Sequence, residues 1–233
     1  MVDIDNTIAD YTNGLRDYIR ECGRGEEDYP CPEPTAYDFT LTGGWPFTGD
    51  AKSFRWWHTR AVADGLYSRE EPYEGAAEAL NQLHDAGWNI IMATSRADDW
   101  RGESQRWLHR NGFQFDGYYN GDKTLLTPDV LIDDRPVTLE AMTAKGVTVL
   151  HPDHAYCTAA PGRVFHRWAA VPPILGGLER TKKTRRLMRR STGCSTNCTA
   201  SNPDSRTPPH WNGRPGCVPD WTHWNHWPYA TPS

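Results

Sequence analysis

Asn89-Ile90-Ile91-Met92-Ala93-Thr94 is a short, continuous apolar run that ends in a hydroxyl. An apolar side chain at nearly every step marks a parallel strand covered on both faces, not a half-solvated one. The flanks agree. Upstream, residues 75–86 put Ala76, Ala79, Leu80 and Leu83 on one helical face, and Gly87 stops the helix. Downstream, residues 98–111 carry a second helical pattern ended by Gly112. A strand at 129–133 (DVLID), a helix at 137–144 and a strand at 147–150 follow. Strands alternating with helices make βαβ units, so the pattern predicts an α/β fold with a doubly wound, Rossmann-like parallel sheet.

Toward the N-terminus, Met1–Asp5 reads as the end of a buried strand running into acidic residues. Residues 10–22 then place Tyr11, Leu15, Tyr18, Ile19 and Cys22 at helical spacing before Gly23. From 25 to 73 the pattern is irregular and aromatic-rich, which suits an insertion better than a sheet layer. The expected division is a sheet body over 1–24 and 74–179, an insertion over 25–73, and a tail over 180–233.

Charge supports the last cut. The net charge of −5 conceals two parts: residues 1–179 hold 16 basic and 28 acidic side chains, residues 180–233 hold 9 and 2. After Glu179 aliphatic residues nearly vanish, so the tail cannot bury enough apolar surface to offset its ordering entropy and is expected to be disordered. No apolar run approaches the roughly 20 residues that span a bilayer. The six cysteines are too scattered for a disulfide scaffold, and no charged-then-apolar leader is visible. A cytoplasmic location, with no membrane partner, is expected.

In a doubly wound sheet the carboxyl ends of the strands carry the ligand site. Asp3 and Asp5 end the first strand, Thr94 and Ser95 the second, and Asp133 and Asp134 another, with Lys123 in the loop before the last. Four carboxylates aimed at one rim repel each other strongly, so either some are protonated or a cation sits among them. Oxygen ligands favour a hard ion, and Mg²⁺ suits a site that also receives phosphate oxygens. Lys123, Thr94 and Ser95 are suited to holding those oxygens. A carboxylate nucleophile there can accept a phosphoryl group, and a second carboxylate can move the proton. Each piece alone is more often a solvated loop, a turn or a surface lysine; their order at successive strand ends argues for a site.

Asp3-Ile4-Asp5-Asn6-Thr7, Ala93-Thr94-Ser95, Lys123 and Asp133-Asp134 together resemble the four motifs of the haloacid dehalogenase superfamily of phosphohydrolases. Within it the chain is most similar to the 5'(3')-deoxyribonucleotidases. Ile8-Ala9-Asp10-Tyr11, Glu71-Pro72-Tyr73-Glu74-Gly75-Ala76, Gly121-Asp122-Lys123-Thr124 and Leu131-Ile132-Asp133-Asp134-Arg135-Pro136 carry that likeness. The resemblance implies a Mg²⁺-dependent phosphomonoesterase acting on deoxynucleoside monophosphates. Asp3 would be the nucleophile that becomes aspartyl-phosphate and Asp5 the general acid and base. Thr94, with Ser95, would bind the phosphoryl group, and Lys123 would neutralise charge. The Asp3 carboxylate, the Asp5 backbone carbonyl and Asp134, with Asp133 close by, would hold Mg²⁺. Sugar phosphates, a polynucleotide 3'-phosphate and a catalytically silent nucleotide-binding protein are the rival readings.

The chain departs from the family at several positions. Asn6 stands where Gly is frequent, and Arg96 where an apolar residue or Pro is commoner; Arg96 is expected to add a phosphate contact. Two residues precede Asp3 where four or five are usual, which suggests a start upstream of Met1 or a fragment. In this family the stretch 25–73 would be a small helical cap, inserted after the first strand and helix, that helps hold the base. Tyr11, Phe39 and Trp57 are the candidates for stacking on it, against the alternative that they form the cap's own core. In the tail, residues 180–190 (RTKKTRRLMRR) hold seven basic side chains. They read as a solvated helix extension or, alternatively, as a nucleic-acid contact. Cys194, Cys198, Cys217, His210, His223 and His226 fit no standard zinc spacing. A homodimer is compatible with the sequence.

Overall fold

The computed structural model describes residues 1–23 and 28–177. The expectations for 180–233, including the basic stretch 180–190 and the Cys/His set, lie outside the described residues.

Among the described residues, five short strands run in parallel: β1 (Ile91–Thr94), β2 (Gly117–Asn120), β3 (Val130–Ile132), β4 (Thr148–Pro152) and β5 (Arg163–Phe165). Thr94 of β1 lies opposite Asn120 of β2, while β3 pairs with β4 and β4 with β5. Val2 joins the two groups through bridges to Met92 and Ile132. Its N–H donates to the Ile91 carbonyl at 2.9 Å, its own carbonyl accepts from Ala93 N–H at 2.7 Å, and Asp3 N–H donates to Ile132 at 2.9 Å. Asp3 therefore leaves the centre of the sheet, between β1 and β3.

The apolar runs have the predicted cause. Val130, Ile132 and Leu150 enter one buried cluster with Leu80 of α4 (Ala76–Asp85) and Leu108 of α5 (Arg101–Arg110). The intervening Leu131 and Val149 pack instead on Leu139 and Met142 of α6 (Pro136–Ala144). Neighbouring residues face opposite sides, and both sides are covered. Gly87 and Gly112 follow their helices with φ of 91° and 75°, the left-handed conformation that ends a helix at little cost to glycine.

A second buried cluster is rich in aromatic side chains and belongs to residues 11–67. It contains α2 (Ala51–Ala63), capped by Asp50, whose side chain accepts from the Lys52 and Ser53 N–H groups, and α3 (Leu66–Arg69). The helix α1 (Tyr11–Glu21), which the sequence grouped with the sheet body, turns Tyr11, Leu15, Tyr18 and Ile19 into this aromatic cluster. The chain enters and leaves the cluster side by side: Ala9 bridges Pro72, Asp10 N–H donates to Glu71 and Tyr73 N–H to Ile8, both at 2.9 Å. Among the described residues, no helix is long and apolar enough to cross a membrane.

Candidate active site

The fold brings three of the predicted clusters together, Asp3, Lys123 and Asp133-Asp134. Lys123 opens a short 3-10 turn, Lys123–Leu125, whose N-terminus is capped by Asp122. Its ammonium lies 2.6 Å from Asp3 Oδ1 and 2.6 Å from Asp133 Oδ2. All three side chains are buried. Asp134, also buried, completes a set in which carboxylate oxygens of Asp3, Asp133 and Asp134 lie within 4.8 Å of one another. Asp133 Oδ1 accepts the Arg135 N–H at 2.8 Å, and Asp134 Oδ2 accepts from the Tyr156 hydroxyl at 2.7 Å.

Three carboxylates face one ammonium, which leaves an excess of about two negative charges in a buried place. Burial raises the Asp3 carboxyl above its ordinary range; Lys123 pulls it down, and repulsion from Asp133 and Asp5 adds to the rise. Burial raises Asp134 as well, followed by repulsion from Asp3 and Asp133. Lys123 shows the complement: burial opposes its charge, yet Asp133 and Asp3 outweigh it and hold the ammonium more firmly protonated. An all-oxygen set with this charge deficit suits a hard divalent cation, which reverses the shifts on the carboxyl groups. The residues present fit Mg²⁺.

Thr94 is buried at the end of β1, where its Oγ1 accepts the Arg96 N–H at 3.1 Å. The hydroxyl hydrogen is thereby left to donate. Ser95 is exposed. Asp5 sits on the turn after the central strand segment with a side chain 28% exposed, and its carboxylate takes no part in the acidic set.

Arg96 is where geometry and sequence expectation part. Expected on the phosphate, it instead points its Nε at both Asp5 oxygens (3.1 Å each) and its Nη2 at Asp5 Oδ1 (2.6 Å) and Glu70 Oε2 (2.5 Å). Nη1 donates to Ser104 at 3.1 Å, and the guanidinium lies 3.8 Å from the Tyr67 ring centre. Every nitrogen is engaged inside the protein. No sequence signal marked Glu70, Ser104 or Tyr67, because only the tertiary fold brings them to Arg96.

The aromatic candidates also divide. Phe39 packs on Tyr11, Trp45 and Phe54 at centroid distances of 6.0, 5.5 and 6.2 Å, in the core of the aromatic cluster. Trp57 packs against Tyr18 and lines a groove with Cys22, Tyr29, Pro46, Ser53, Trp56 and Arg60, none of them a candidate catalytic residue. Both are core side chains by this packing, which weighs against the stacking role expected of them. Tyr11 is buried too, but its hydroxyl meets His58 Nδ1 at 2.8 Å, and Asp5, Glu70 and Arg96 are near enough to bear on its ionisation. Tyr37, 39% exposed, stands edge-on to Tyr156 and under the Arg135 guanidinium.

Residues 1–175 match the family model described as 5' nucleotidase, deoxy (pyrimidine), cytosolic type C protein. Among solved structures, the chain is similar to a haloacid dehalogenase-like family hydrolase from Streptococcus pneumoniae, with 14% identity and a TM-score of 0.51 over 75% of this chain and 96% of that one. It is likewise similar to a HAD-superfamily hydrolase of subfamily IA from Geobacter sulfurreducens, at 14% identity and a TM-score of 0.50 over 75% and 94%. These likenesses establish the fold. No curated protein matches the chain.

Proposed function

The chain belongs to the 5' nucleotidase, deoxy (pyrimidine), cytosolic type C family and is a phosphoric monoester hydrolase of the haloacid dehalogenase type, and we propose that it releases phosphate from deoxynucleoside monophosphates through a phosphorylated Asp3. The observation that carries this reading is the Lys123 ammonium shared at 2.6 Å between Asp3 and Asp133, beside Asp134. A buried nucleophile, a fixed positive charge and spare carboxylates for a cation are the components that phosphoryl transfer requires.

In this reading Asp3 Oδ attacks phosphorus, the ester bond to the leaving oxygen breaks, and Asp5 gives that alkoxide its proton. Asp5, now a carboxylate, then takes a proton from water as the water attacks the aspartyl-phosphate and frees Asp3. The Thr94 hydroxyl donates to a phosphoryl oxygen, and Lys123 offsets the charge that accumulates between that group and Asp3. Asp3, Asp134 and the Asp5 backbone carbonyl, with Asp133 behind them, would hold Mg²⁺, which supplies Lewis-acid charge at the phosphoryl oxygens. The aromatic cluster acts as a cap over the rim; Tyr11 with His58, and Tyr37, are better placed for the nucleoside than Phe39 or Trp57. A cytoplasmic location belongs to the same reading.

The test is phosphate release from a panel of deoxynucleoside 5'- and 3'-monophosphates, sugar phosphates and 3'-phosphorylated oligonucleotides, with Mg²⁺ and with EDTA. Mg²⁺-dependent release favouring deoxynucleotides, lost in Asp3→Asn, is the expected result. Preference for a sugar phosphate or an oligonucleotide end overturns the substrate, and no release from any of them overturns the mechanism.

A further inference from the structure

A phosphatase of this kind needs its acid aimed. The nucleoside alkoxide is a poor leaving group, and proton transfer works only with the donor oxygen about 2.6–3.2 Å from the acceptor. Asp5 is partly exposed on a turn, and a carboxylate there swings freely unless something holds it.

We propose that Arg96, anchored by Glu70, is the positioning residue that fixes the Asp5 carboxylate for proton transfer. The proposal rests on the reading of Asp5 as the general acid. The Arg96 side chain is 1% exposed and that of Glu70 fully buried. Its plane is set from three directions: by Tyr67 of α3 beneath it, by Ser104 of α5 on Nη1, and by Glu70 on Nη2. Only then does its remaining edge present Nε and Nη2 to Asp5, with three donor contacts of 2.6–3.1 Å spread over both oxygens. Such a fork fixes direction as well as distance, which a lysine cannot do.

Ser104 and Glu70 take Nη1 and Nη2, and Nε is left to Asp5 alone. The third partner, Asp5, is the partly exposed one, so the fork reaches out of the core to hold the group read as the acid. Glu70 Oε2 accepts from Nη2, so Asp5 is not the only carboxyl group that holds the guanidinium. Glu70 also lies where the chain returns from the aromatic cluster, next to the Asp10–Glu71 hydrogen bond. The fork therefore ties Asp5, before the first crossing, to the second crossing and the seat of the cluster.

The experiment compares two esters on the full chain with Mg²⁺: deoxyuridine 5'-monophosphate, whose alkoxide must be protonated, and p-nitrophenyl phosphate, whose phenolate leaves unaided. The value of kcat/KM is read because it stops at the first phosphoryl transfer and excludes the shared hydrolysis of the phosphoenzyme. Arg96→Met is expected to lower kcat/KM on the nucleotide about 100-fold, and on the aryl ester at least about tenfold less. Glu70→Gln, which keeps the size and a hydrogen-bonding oxygen but loosens the anchor, is expected to show the same asymmetry at about threefold to tenfold. If Arg96→Met does not fold, Glu70→Gln decides alone. Equal losses on both esters, or no loss on either, overturn the proposal while leaving the phosphatase reading intact. A wild-type protein that cleaves neither ester overturns that reading and the proposal with it.

Discussion

Lys123 Nζ and Asp3 Oδ1 lie 2.6 Å apart in a pocket that admits almost no solvent. Among the described residues, Lys123 alone brings an ammonium into contact with the acidic set, shared with Asp133. Replacing it by methionine keeps the volume and removes the charge. Lys123→Met is expected to lower kcat by about 10²–10³-fold, the usual cost of deleting one stabilising donor in such a site. In EDTA the variant should also be less stable to urea by about 3–5 kcal/mol, because buried carboxylates lose their partner. Steady-state kinetics and urea unfolding check both; a kcat within threefold of wild type removes Lys123 from the chemistry.

Tyr156 donates to Asp134 at 2.7 Å and stacks on His154 at a centroid distance of 5.1 Å. It orients a carboxylate that is expected to ligate the metal. Tyr156→Phe keeps the ring and deletes the donor, so Mg²⁺ affinity should weaken about 10–100-fold. The Mg²⁺ concentration that half-activates the enzyme, and the Mg²⁺-dependent rise in melting temperature, should move together. An unchanged half-activating concentration separates Tyr156 from the metal.

How much of this was legible in the sequence depends on how each residue is used. β1 and β3 stand out because both faces are covered, which forces apolar side chains at successive positions and leaves the polar residues at their ends conspicuous. β2 carries Tyr118 and Tyr119 and is half-buried throughout, so it has neither an apolar run nor alternation. β5 is three residues long with two exposed, too short for any period. The helix α1 was plain, but the cluster its apolar face joins depends on a partner surface from residues far along the chain. The same holds for the site. Asp3 and Asp133 could be placed at strand ends, and Lys123 in the loop before the latter, from their order, whereas the Arg96 partners lie 91, 26 and 8 residues away. An aromatic residue in an insertion looks the same whether it faces a ligand or, as Phe39 and Trp57 do, its own core.

Glu70 gives a pH prediction whose sign distinguishes two accounts of the Arg96 cluster. Burial pushes its carboxyl up to about 8, although the Arg96 charge pulls it down, and its Oε1 has no hydrogen-bond partner among the described residues. The folded state then binds more protons than the unfolded one between the unfolded value of 4.5 and about 8. Stability contributed by Glu70 is present below that window and is lost as pH rises through it. Glu70→Gln removes the titration. Wild-type stability relative to Glu70→Gln should therefore fall by up to about 1.4 kcal/mol per pH unit over this range. Urea unfolding of both proteins from pH 5 to 8 measures it. A difference that grows with pH means that Arg96 wins and holds Glu70 ionised.

Asn6 turns the chain out of the sheet with φ of 53°, in the left-handed region, immediately after Asp5. Its Oδ1 accepts both the Thr12 N–H at 3.0 Å and the Thr12 hydroxyl at 2.9 Å, and its carbonyl meets His154 Nε2 at 2.7 Å. Two separable demands meet here, a backbone angle and a side-chain acceptor. Asn6→Ala fails both and is expected to cost about 2–4 kcal/mol, from left-handed strain and two buried donors left unpaired. Asn6→Gly meets the angle and fails only the acceptor, so it should be more stable than Asn6→Ala by about 1–2 kcal/mol. Denaturant midpoints of the two variants test this. If they lose equal stability, the backbone angle carries no cost and the Thr12 hydrogen bonds alone account for asparagine at this turn.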